Sequence, residues 1–406
     1  MTRVVIIGGG PGGYEAALVG AQLGAEVTIV DRDGIGGSAV LTDCVPSKTL
    51  VATAELMSSV QESGELGLRF GGDTGPSSAV SPGSQPVAVD LAVVNQRVKK
   101  LAEQQSADIA QRLDKEGVRI VNGTGRLDGP EVVVATTEDG EERLPADAVL
   151  VATGAHPRVM PTATPDGERI LTWEQVYDVD EPPSRLIVVG SGVTGAEFAS
   201  AYNALGVDVV LVSSRDRVLP GEDAQAAEVL EDVLTRRGMT VLSRSRAQDV
   251  IREGDRVVVT LTDGSTVEGS HCLLAVGSIP NTQGLGLEEA GVALGDGGYV
   301  TVDRVSRTSA RGVYAAGDCT GVLMLASVAA MQGRIAMWHA LGDAVAPLDL
   351  VTVSPVRVTD SMRDFESTFM PRRVRTSSST LAASASSPGS TRSRLDTSVT
   401  GMPRLR

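Results

Sequence analysis

Residues 3–31 read RVVIIGGGPGGYEAALVGAQLGAEVTIVD, and this stretch decides the fold. The apolar, β-branched run Arg3–Ile7 predicts a buried strand, and the glycine-rich turn after it leads into a helix that extends to about Leu23. A second apolar run, Glu26–Val30, predicts another strand, which ends at Asp31. A strand, turn, helix and strand in this order form a βαβ unit with a parallel sheet.

The glycines of this turn predict a dinucleotide site. Gly8 permits the tight turn, Gly10 allows the backbone to approach a pyrophosphate, and Gly13 lets helix and strand pack closely. Gly12 belongs to the same turn, at the start of a helix whose free N–H groups and partial positive charge bind phosphates. Asp31 stands at the end of the second strand, where an acid binds ribose hydroxyls. A βαβ turn without a ligand is the alternative that this context disfavours.

The same pattern occurs a second time. Leu186–Val189 predicts a strand, a helix follows as far as about Leu205, and Asp208–Val212 predicts the next strand. The turn between the first of these strands and the helix contains the glycines Gly190, Gly192 and Gly195. Two such units in one chain predict an α/β protein with two Rossmann-like domains, each of which binds a dinucleotide.

The residues after the second copy differ from those after the first. Ser213 stands where an acid recognises the ribose of NAD, and Arg215 and Arg217 follow it. Without the acid a 2′-phosphate is not repelled, and Arg215 or Arg217 is suited to pair with it. Gly195, as the third glycine of the turn, favours NAD instead. These signals are divided and lean towards NADPH.

Length, composition and charge set limits on function. A chain of 406 residues is long enough for two or three domains, and 42% hydrophobic residues are ordinary for a globular protein. The net charge of −15 argues against nonspecific binding to nucleic acid or to an anionic membrane. No apolar stretch is long enough to span a bilayer and no signal sequence is evident, so cytoplasmic residence is expected. The cysteines form no CxxC motif and predict neither a metal site nor a disulfide framework.

The segment at residues 36–48 reads GGSAVLTDCVPSK and carries the most specific signal. It resembles the redox-active segment of the pyridine nucleotide-disulfide oxidoreductases, the flavoprotein family of dihydrolipoamide dehydrogenase and glutathione reductase. That family has two cysteines in this segment, followed by Pro-Ser-Lys, whereas here Ala39 stands in the first position and only Cys44 remains. Because a disulfide needs two sulfurs, thiol–disulfide exchange through this pair is excluded.

Further positions resemble the same family, over about residues 3–345. The turn at 152–154 resembles its crossover from the FAD domain to the nicotinamide domain, and the segment at 277–281, which begins with Gly277, resembles the return. The resemblance implies an FAD-binding domain at residues 1–154 and 278–345, interrupted by an NAD(P)-binding domain at 155–277. The FAD-binding positions that it implies beyond the first turn are Gly37, Ser38, Lys48, Gly125, Thr153, Gly154, Asp318, Leu325 and Ala326.

The resemblance also implies how the flavin is reduced. Lys48 is expected beside flavin N5, paired with Glu197, which follows the second glycine turn. A cation at that place stabilises reduced flavin when hydride arrives from the nicotinamide, and Asp318 is expected to accept a hydrogen bond from the ribityl chain. Three interpretations of Cys44 stay open: a vestigial residue, a modulator of the flavin potential, or a peroxide-sensing thiol.

The C-terminal interface domain of the family has no counterpart in this sequence. The final segment, assigned to residues 346–406, becomes rich in Ser, Thr and Arg, and residues 377–394 contain almost no large apolar side chain. Two interpretations are open: a disordered tail, or an out-of-frame read of a gene that encodes the interface domain. In the second case the true gene product is expected to be a homodimer. Residues 71–86, rich in Gly, Ser and Pro, predict a surface loop.

The implied function is that of an FAD-dependent NAD(P)H dehydrogenase. The segment Ala39–Lys48, with Asp43 before Cys44, resembles an actinobacterial branch of the family that lacks the first cysteine and reduces quinones. In that hypothesis NAD(P)H reduces FAD, and a quinone-like small molecule takes the electrons from the flavin without a protein disulfide. The alternatives are a single-cysteine NAD(P)H oxidase or peroxidase that uses Cys44, a dihydrolipoamide dehydrogenase-like remnant, and a non-catalytic FAD-binding or redox-sensing protein.

Overall fold

The structure is a computed structural model that describes residues 1–63 and 88–349. The loop expected at residues 71–86 and the final segment from residue 350 lie outside the described residues, so both stay predictions. Residues 346–349, which are described, lie alongside an earlier loop, where the Leu348 N–H donates to the Arg304 carbonyl at 2.8 Å.

The described residues form helices and strands in close alternation. The α-helices are α1 (Pro11–Gln22), α2 (Gly37–Leu41), α3 (Cys44–Glu62), α4 (Leu91–Lys115), α5 (Val193–Ala204), α6 (Ala224–Arg236) and α7 (Ala326–Ala340). The strands are β1 (Arg3–Ile7), β2 (Glu26–Asp31), β3 (Arg119–Asn122), β4 (Thr124–Leu127), β5 (Val132–Thr137), β6 (Gly140–Pro145), β7 (Ala148–Val151), β8 (Ala155–Pro157), β9 (Ile170–Thr172), β10 (Arg185–Val189), β11 (Asp208–Val212), β12 (Thr240–Leu242), β13 (Ala247–Glu253), β14 (Arg256–Leu261), β15 (Thr266–Gly269), β16 (His271–Leu274), β17 (Ser278–Pro280) and β18 (Val313–Ala315). Short 3-10 helices occur at Val176–Asp178, Asp296–Gly298 and Asp318–Thr320.

The first glycine unit belongs to a parallel sheet with the strand order β18-β7-β1-β2-β3. Its central strands are apolar along their whole length because both faces of the sheet are covered. On one face, side chains of α1 and α7 pack against Val4 and Ile6. On the other face, the antiparallel sheet β4-β5-β6 packs against Val5 and Ile7. The strand that the sequence predicts at residues 3–7 is therefore the centre of a three-layer domain.

The second glycine unit lies in another parallel sheet, of order β12-β11-β10-β16-β9. One face packs against α5 and, beyond it, against side chains of α3 and α4 from the first domain. The opposite face packs against the antiparallel sheet β13-β14-β15. The two domains thus repeat one architecture, and the helix that follows residue 43 lies where they meet.

The chain passes between the two sheets twice, at neighbouring places. Strands β7 and β18, which precede and follow the second sheet in sequence, lie side by side in the first. The two connecting segments pair as antiparallel strands β8 and β17. The Thr153 hydroxyl donates to the Asn281 carbonyl at 2.6 Å, and the Asn281 amide donates to the Thr153 carbonyl at 2.9 Å. The expected α/β class with two Rossmann-like domains is confirmed.

Helix α4 shows how the local sequence directs packing. The sequence predicts a helix at about residues 91–115, and the structure forms it over the same residues. The Asp90 carboxylate caps it by accepting the Val93 N–H at 3.0 Å. Leu91, Asn95 and Val98 recur at helical spacing and are all buried against the domain junction. The amide of Asn95 donates to the Val179 carbonyl at 2.7 Å, which fixes the helix to the chain that enters the second domain.

Some elements differ from the sequence prediction. The sequence predicts strands at residues 118–121 and 131–136 around a turn at residues 122–125, but Thr124 and Gly125 begin strand β4. Hydrogen bonding to β5 explains the difference, because an antiparallel partner draws the backbone of these small residues into a ladder. The sequence interpretation also gave no helix to residues 44–62 or 224–236, which form α3 and α6.

Candidate active site

The first glycine turn is closed by contacts that a side chain would block. Gly8 has a φ of +105°, and a Cβ on Gly13 would lie 1.9 Å from the Gly8 carbonyl oxygen. Helix α1 therefore starts directly against the end of β1, with its free N–H groups at the carboxyl edge of the sheet. Gly12 packs against Ala316 at the end of β18, where a Cβ would come within 3.1 Å of the alanine methyl group.

Asp31 organises the loops at this edge of the sheet. One carboxylate oxygen accepts the Gly9 N–H at 2.7 Å, and the other accepts the N–H groups of Gly34 and Asp33 at 2.6 and 3.0 Å. The side chain thus holds the glycine turn and the loop before α2 together. Because a carboxylate has about four acceptor positions, one remains for a ribose hydroxyl. The ribose contact stays a prediction.

The second glycine turn repeats this geometry but has a different neighbour. Gly190 has a φ of +115°, and a Cβ on Gly195 would lie 1.8 Å from the Gly190 oxygen. Ser213 is fully buried, and its hydroxyl lies 2.6 Å from that of Ser191 inside the turn. The serine therefore connects β11 to the turn from inside the protein, whereas the next candidate, Arg215, is exposed.

Lys48 and Glu197 form an ion pair between the two domains. Lys48 lies one turn into α3, and its Nζ is 2.6 Å from Oε1 of Glu197 on α5. The Glu197 side chain is only 10% exposed, and that of Lys48 is 35% exposed. Burial disfavours the Lys48 cation, but the charge and hydrogen bond of Glu197 outweigh burial and raise the pKa of Lys48. The ammonium is thus held charged at a defined place.

Cys44 is the first residue of α3 and carries a free thiol. All three cysteines of the chain are free, and Cys272 and Cys319 are completely buried in the core, as expected for small core residues. Burial raises the pKa of Cys44 to about 12, and the charge of Asp43 adds to this effect. A thiol with so high a pKa stays protonated at neutral pH and is a poor nucleophile.

Asp318 and the start of α7 form the part of the candidate site that belongs to the end of the first domain. Burial raises the pKa of Asp318 to about 6, with a contribution from the negative charge of Asp43. The Gly317 N–H donates to the buried amide oxygen of Gln332 on α7 at 2.9 Å, so the turn that presents Asp318 is fixed to this helix. Leu325 caps α7 and Ala326 is its first residue. A buried carboxyl of this kind suits a hydroxyl-rich ligand such as a ribityl chain.

The described residues fit FAD. A Cβ on Gly10 would meet only the Gly37 Cα, at 4.0 Å, and Cβ positions on Gly154 and Gly277 would have no atom within 4 Å. The backbone is therefore open towards a ligand at these places. Gly125, by contrast, lies on β4 in contact with Ile7, where a Cβ would come within 3.0 Å of its methyl group. Ser38 is the second residue of α2, beside Gly37.

The structure thus brings two groups of the expected residues together. Cys44, Lys48 and Glu197 meet at the junction of the domains, and the first glycine turn lies against Gly37 and the turn before Asp318. Contact of each residue with a cofactor stays a prediction. Sequence reasoning gave no role to Tyr177, which reaches the same junction, and no local motif marks it.

The comparisons with known proteins agree with this architecture. A family model described as pyridine nucleotide-disulphide oxidoreductase matches residues 2–333. The chain belongs to this family. Pyridine nucleotide-disulphide oxidoreductases use FAD and NAD(P)H, so this chain is a flavoprotein oxidoreductase, and the FAD-type and NAD(P)-type folds seen here are those of its family.

Curated relatives cover most of the chain. A protein of Mycobacterium tuberculosis named NAD(P)H dehydrogenase (quinone) is 54% identical over 364 residues, which are 87% of this chain and 71% of the relative. A dihydrolipoyl dehydrogenase of Zymomonas mobilis is 32% identical over 352 residues, 85% of this chain and 72% of the relative. The chain is therefore similar both to a relative named as a quinone dehydrogenase and to a relative named as a dihydrolipoyl dehydrogenase.

Solved structures give the same result. The crystal structure of LpdA from Mycobacterium tuberculosis matches with a TM-score of 0.79 at 54% identity, over 86% of this chain and 74% of that chain. The Cu(II) complex of the flavoprotein disulfide reductase RclA from Escherichia coli matches with a TM-score of 0.74 at 22% identity, over 86% and 73% of the two chains, which shows the fold alone.

The described residues contain neither a membrane-spanning helix nor a cluster of metal ligands. None of the helices in residues 1–63 and 88–349 is both long and apolar enough to cross a membrane. Within the same ranges, no three His, Cys, Asp or Glu side chains are grouped so as to hold a metal ion.

Proposed function

We propose that this chain is an NAD(P)H dehydrogenase that passes electrons from FAD directly to a quinone-like acceptor, without a redox-active disulfide. The observation that carries the proposal is the combination of Ala39 with an intact Lys48–Glu197 pair. The pair spans the two domains at 2.6 Å, while all cysteines are free. The relative named NAD(P)H dehydrogenase (quinone) supports the choice of acceptor.

The described residues account for the steps that the protein itself performs. The two glycine turns bind the pyrophosphates of two dinucleotides at the ends of two parallel sheets. Bound FAD supplies two-electron chemistry between the nicotinamide and the acceptor. Lys48 holds a positive charge where negative charge develops on reduction, and Glu197 fixes the direction of its side chain. The protonated Cys44 thiol is adjacent but is not needed for any of these steps.

For the nicotinamide nucleotide we propose NADPH. The residue that follows β11 is a serine rather than an acid. This residue, Ser213, is buried, and its hydroxyl is bonded to that of Ser191. Arg215 and Arg244 are exposed beside it, and the Arg244 N–H donates to the Arg215 carbonyl at 2.7 Å, which holds the two loops together. The guanidinium groups favour a 2′-phosphate.

An anaerobic titration tests the proposed route of the electrons. The FAD-loaded protein is reduced stepwise with dithionite and with NADPH while the flavin absorbance is followed. We expect complete bleaching with two electrons per FAD and reoxidation by one equivalent of benzoquinone. Uptake of four electrons would contradict the proposal, because it requires a second redox centre such as a disulfide.

The single-cysteine oxidase or peroxidase is the second candidate, because Cys44 is partly accessible beside the ion pair. Its raised pKa opposes this chemistry, since peroxide and disulfides react with the thiolate. A Cys44→Ala variant separates the two functions. Quinone reduction that survives in this variant supports direct electron transfer, whereas loss of all turnover with retained FAD supports thiol chemistry.

A further inference from the structure

Asp43 presents a carboxyl group that the fold leaves unused. It precedes α3 in the capping position, yet its side chain accepts no hydrogen bond from the helix. Its backbone is held firmly, because its N–H donates to the Ser38 carbonyl at 2.7 Å and its carbonyl accepts the Ser47 N–H at 2.8 Å. Within residues 1–63 and 88–349, no hydrogen bond or ion pair engages the carboxylate.

This carboxyl interacts with most of the charged groups of the site. Burial raises the pKa of Asp43, and the charge of Lys48 opposes the rise without overcoming it. Lys48, the cation that acts on Asp43 in the described part of the chain, is already paired with Glu197 at 2.6 Å. The groups that interact with Asp43 electrostatically lie on several elements, namely Cys44 and Lys48 on α3, Glu197 on α5, Glu174 and Tyr177 after β9, and Asp318 after β18.

Two buried hydroxyl groups near Asp43 point to a bound ligand or water at this place. In the described part of the chain, Thr42 Oγ1 and Tyr177 Oη are both buried without a hydrogen-bond partner. Tyr177 is only 4% exposed, and Asp43 is the charge that acts on it most strongly, ahead of Glu197. Buried polar groups are normally satisfied, so two unpaired hydroxyl groups, one on the residue before Asp43 and one within reach of its charge, indicate a polar site for a ligand.

We propose that Asp43 donates a proton to the acceptor during its reduction, and that the Tyr177 hydroxyl, unpaired in the apoprotein, engages this carboxyl once the acceptor is bound. The inference rests on the proposed function. NAD(P)H supplies a hydride equivalent, which is two electrons and one proton, and this equivalent reaches the quinone through the flavin. Asp43 supplies the second proton. Both quinone carbonyls thereby become hydroxyl groups, NAD(P)⁺ is released, and the Asp43 carboxylate regains its proton from water.

The other acids of the site are less suited to this task. The Lys48 ammonium is held by Glu197 with a raised pKa, and Cys44, with a pKa of about 12, releases its proton only in strong alkali. Asp318 is the expected partner of the ribityl chain. Glu174 and Asp318, like Asp43, form no side-chain hydrogen bond or ion pair within residues 1–63 and 88–349, but Asp43 directly precedes Cys44 at the start of α3, the helix that carries Lys48.

An Asp43→Asn variant tests the proton donor with two acceptors. Ferricyanide takes up single electrons without a proton, whereas benzoquinone needs one from the protein. In stopped flow with FAD-loaded protein, we expect reduction by NADPH and reoxidation by ferricyanide within about twofold of wild type. Reoxidation by benzoquinone should slow by roughly 10²-fold or more, the contribution of a positioned general acid. The matched control is Asp139→Asn, at an exposed hairpin.

The pH profile provides a second measurement. In the wild type the benzoquinone step should fall as pH rises through the pKa of Asp43, because only the protonated carboxyl donates. In Asp43→Asn this dependence should be absent. If Asp43→Asn slowed reoxidation by ferricyanide and by benzoquinone equally, the role of Asp43 would be structural and the inference would be overturned. A wild type whose flavin is reduced by NADPH but never reoxidised by quinone would instead overturn the proposed function.

Tyr177→Phe tests the positioning role, with Tyr202→Phe as the control. Tyr202 is equally buried, but its hydroxyl donates to the Val176 carbonyl at 3.4 Å, and burial is what raises its pKa. We expect Tyr177→Phe to lower the ratio of benzoquinone to ferricyanide rates by about tenfold, while the unfolding midpoint of the apoprotein stays equal or rises because the hydroxyl has no partner there. An idle hydroxyl predicts an unchanged ratio. That outcome would contradict the role of Tyr177.

Discussion

At the scale of single residues, loss of the Lys48–Glu197 pair should affect flavin reduction more than loss of other ion pairs. Removing the Lys48 ammonium leaves Glu197, 10% exposed, with an uncompensated charge near the flavin site. We expect Lys48→Met to slow flavin reduction by NADPH by about 10²-fold, because a positioned charge contributes on that order. Stopped-flow bleaching of the FAD-loaded protein measures this rate.

A similar pair on the surface serves as the control for Lys48→Met. Lys99 pairs with Asp178 across the same domain junction, but both side chains are about half exposed. Lys99→Met should change the rate by less than twofold, since exposed pairs contribute little. The raised pKa of Lys48 also predicts that flavin reduction does not fall at a pH where an unpaired lysine ammonium already loses its proton. An equal effect of both variants would contradict the assigned role of Lys48.

Asp318 should have opposite effects on the apoprotein and on cofactor binding. Its pKa is raised from 3.8 to about 6, so the folded apoprotein loses stability from this group as pH rises from 4 to above 6. Asp318→Asn removes that loss, and we expect the apoprotein to gain about 1–3 kcal/mol at pH 8 but nothing at pH 4. Urea unfolding at the two pH values measures the difference.

FAD affinity should change in the other direction. An amide in place of the Asp318 carboxyl is a weaker acceptor for a ribityl hydroxyl, and we expect the dissociation constant of FAD to rise by about tenfold. Fluorescence titration of the apoprotein with FAD checks this value. A variant that is more stable at pH 8 but binds FAD as tightly as wild type would remove Asp318 from the cofactor site.

At the scale of elements, a substitution in one glycine turn should impair binding of the nucleotide at that turn and not at the other. A Cβ on Gly13 would overlap the Gly8 carbonyl in the first domain, and a Cβ on Gly195 would overlap Gly190 in the second. Each alanine variant should push its helix off its sheet. We expect Gly13→Ala to be purified without FAD, and Gly195→Ala to retain FAD while its reduction by NADPH slows at least about 10²-fold.

The control for these two variants is Gly221→Ala, at an exposed position where a Cβ would meet no atom within 4 Å. It should retain FAD and reduce it at the wild-type rate. Absorbance spectra of the purified proteins and stopped-flow reduction measure both properties. Loss of FAD from Gly195→Ala would show that the second turn supports the whole fold rather than its own nucleotide.

The elements that the sequence predicted well are those with strong local signals. The βαβ unit at residues 3–31 was predicted nearly to the residue, because glycines and apolar runs mark its boundaries. Helix α3 was missed because Pro46 in its first turn resembles a break, although proline is tolerated there. Helix α6 was missed despite a capping signal, since the Asp223 carboxylate accepts the N–H groups of Gln225 and Ala226.

At the scale of the whole molecule, the active site forms only when distant segments meet. Lys48 and Glu197 are 149 positions apart in sequence, and only their likeness to a family motif linked them before the fold was known. Tyr177 has no such motif, and its approach to Asp43 depends on the packing of α3 and α5. Sequence patterns therefore predicted the two nucleotide-binding halves. They did not predict that Tyr177 and Asp43 meet between these halves.

The paired crossovers set the relative position of the two halves, and Asn281 is their central residue. Its side chain donates to the Thr153 carbonyl at 2.9 Å, and its amide oxygen lies 2.6 Å from His156 Nδ1. Loss of these bonds should loosen the junction without changing either glycine turn. We expect Asn281→Ala to bind FAD and NADP⁺ normally but to reduce the flavin about tenfold more slowly, since a shift of about 1 Å is costly in hydride transfer. Asn122→Ala, at an exposed end of β3, is the control and should reduce the flavin at the wild-type rate. Equal rates for both variants would show that packing around α3 and α5, rather than the crossovers, aligns the two nucleotides.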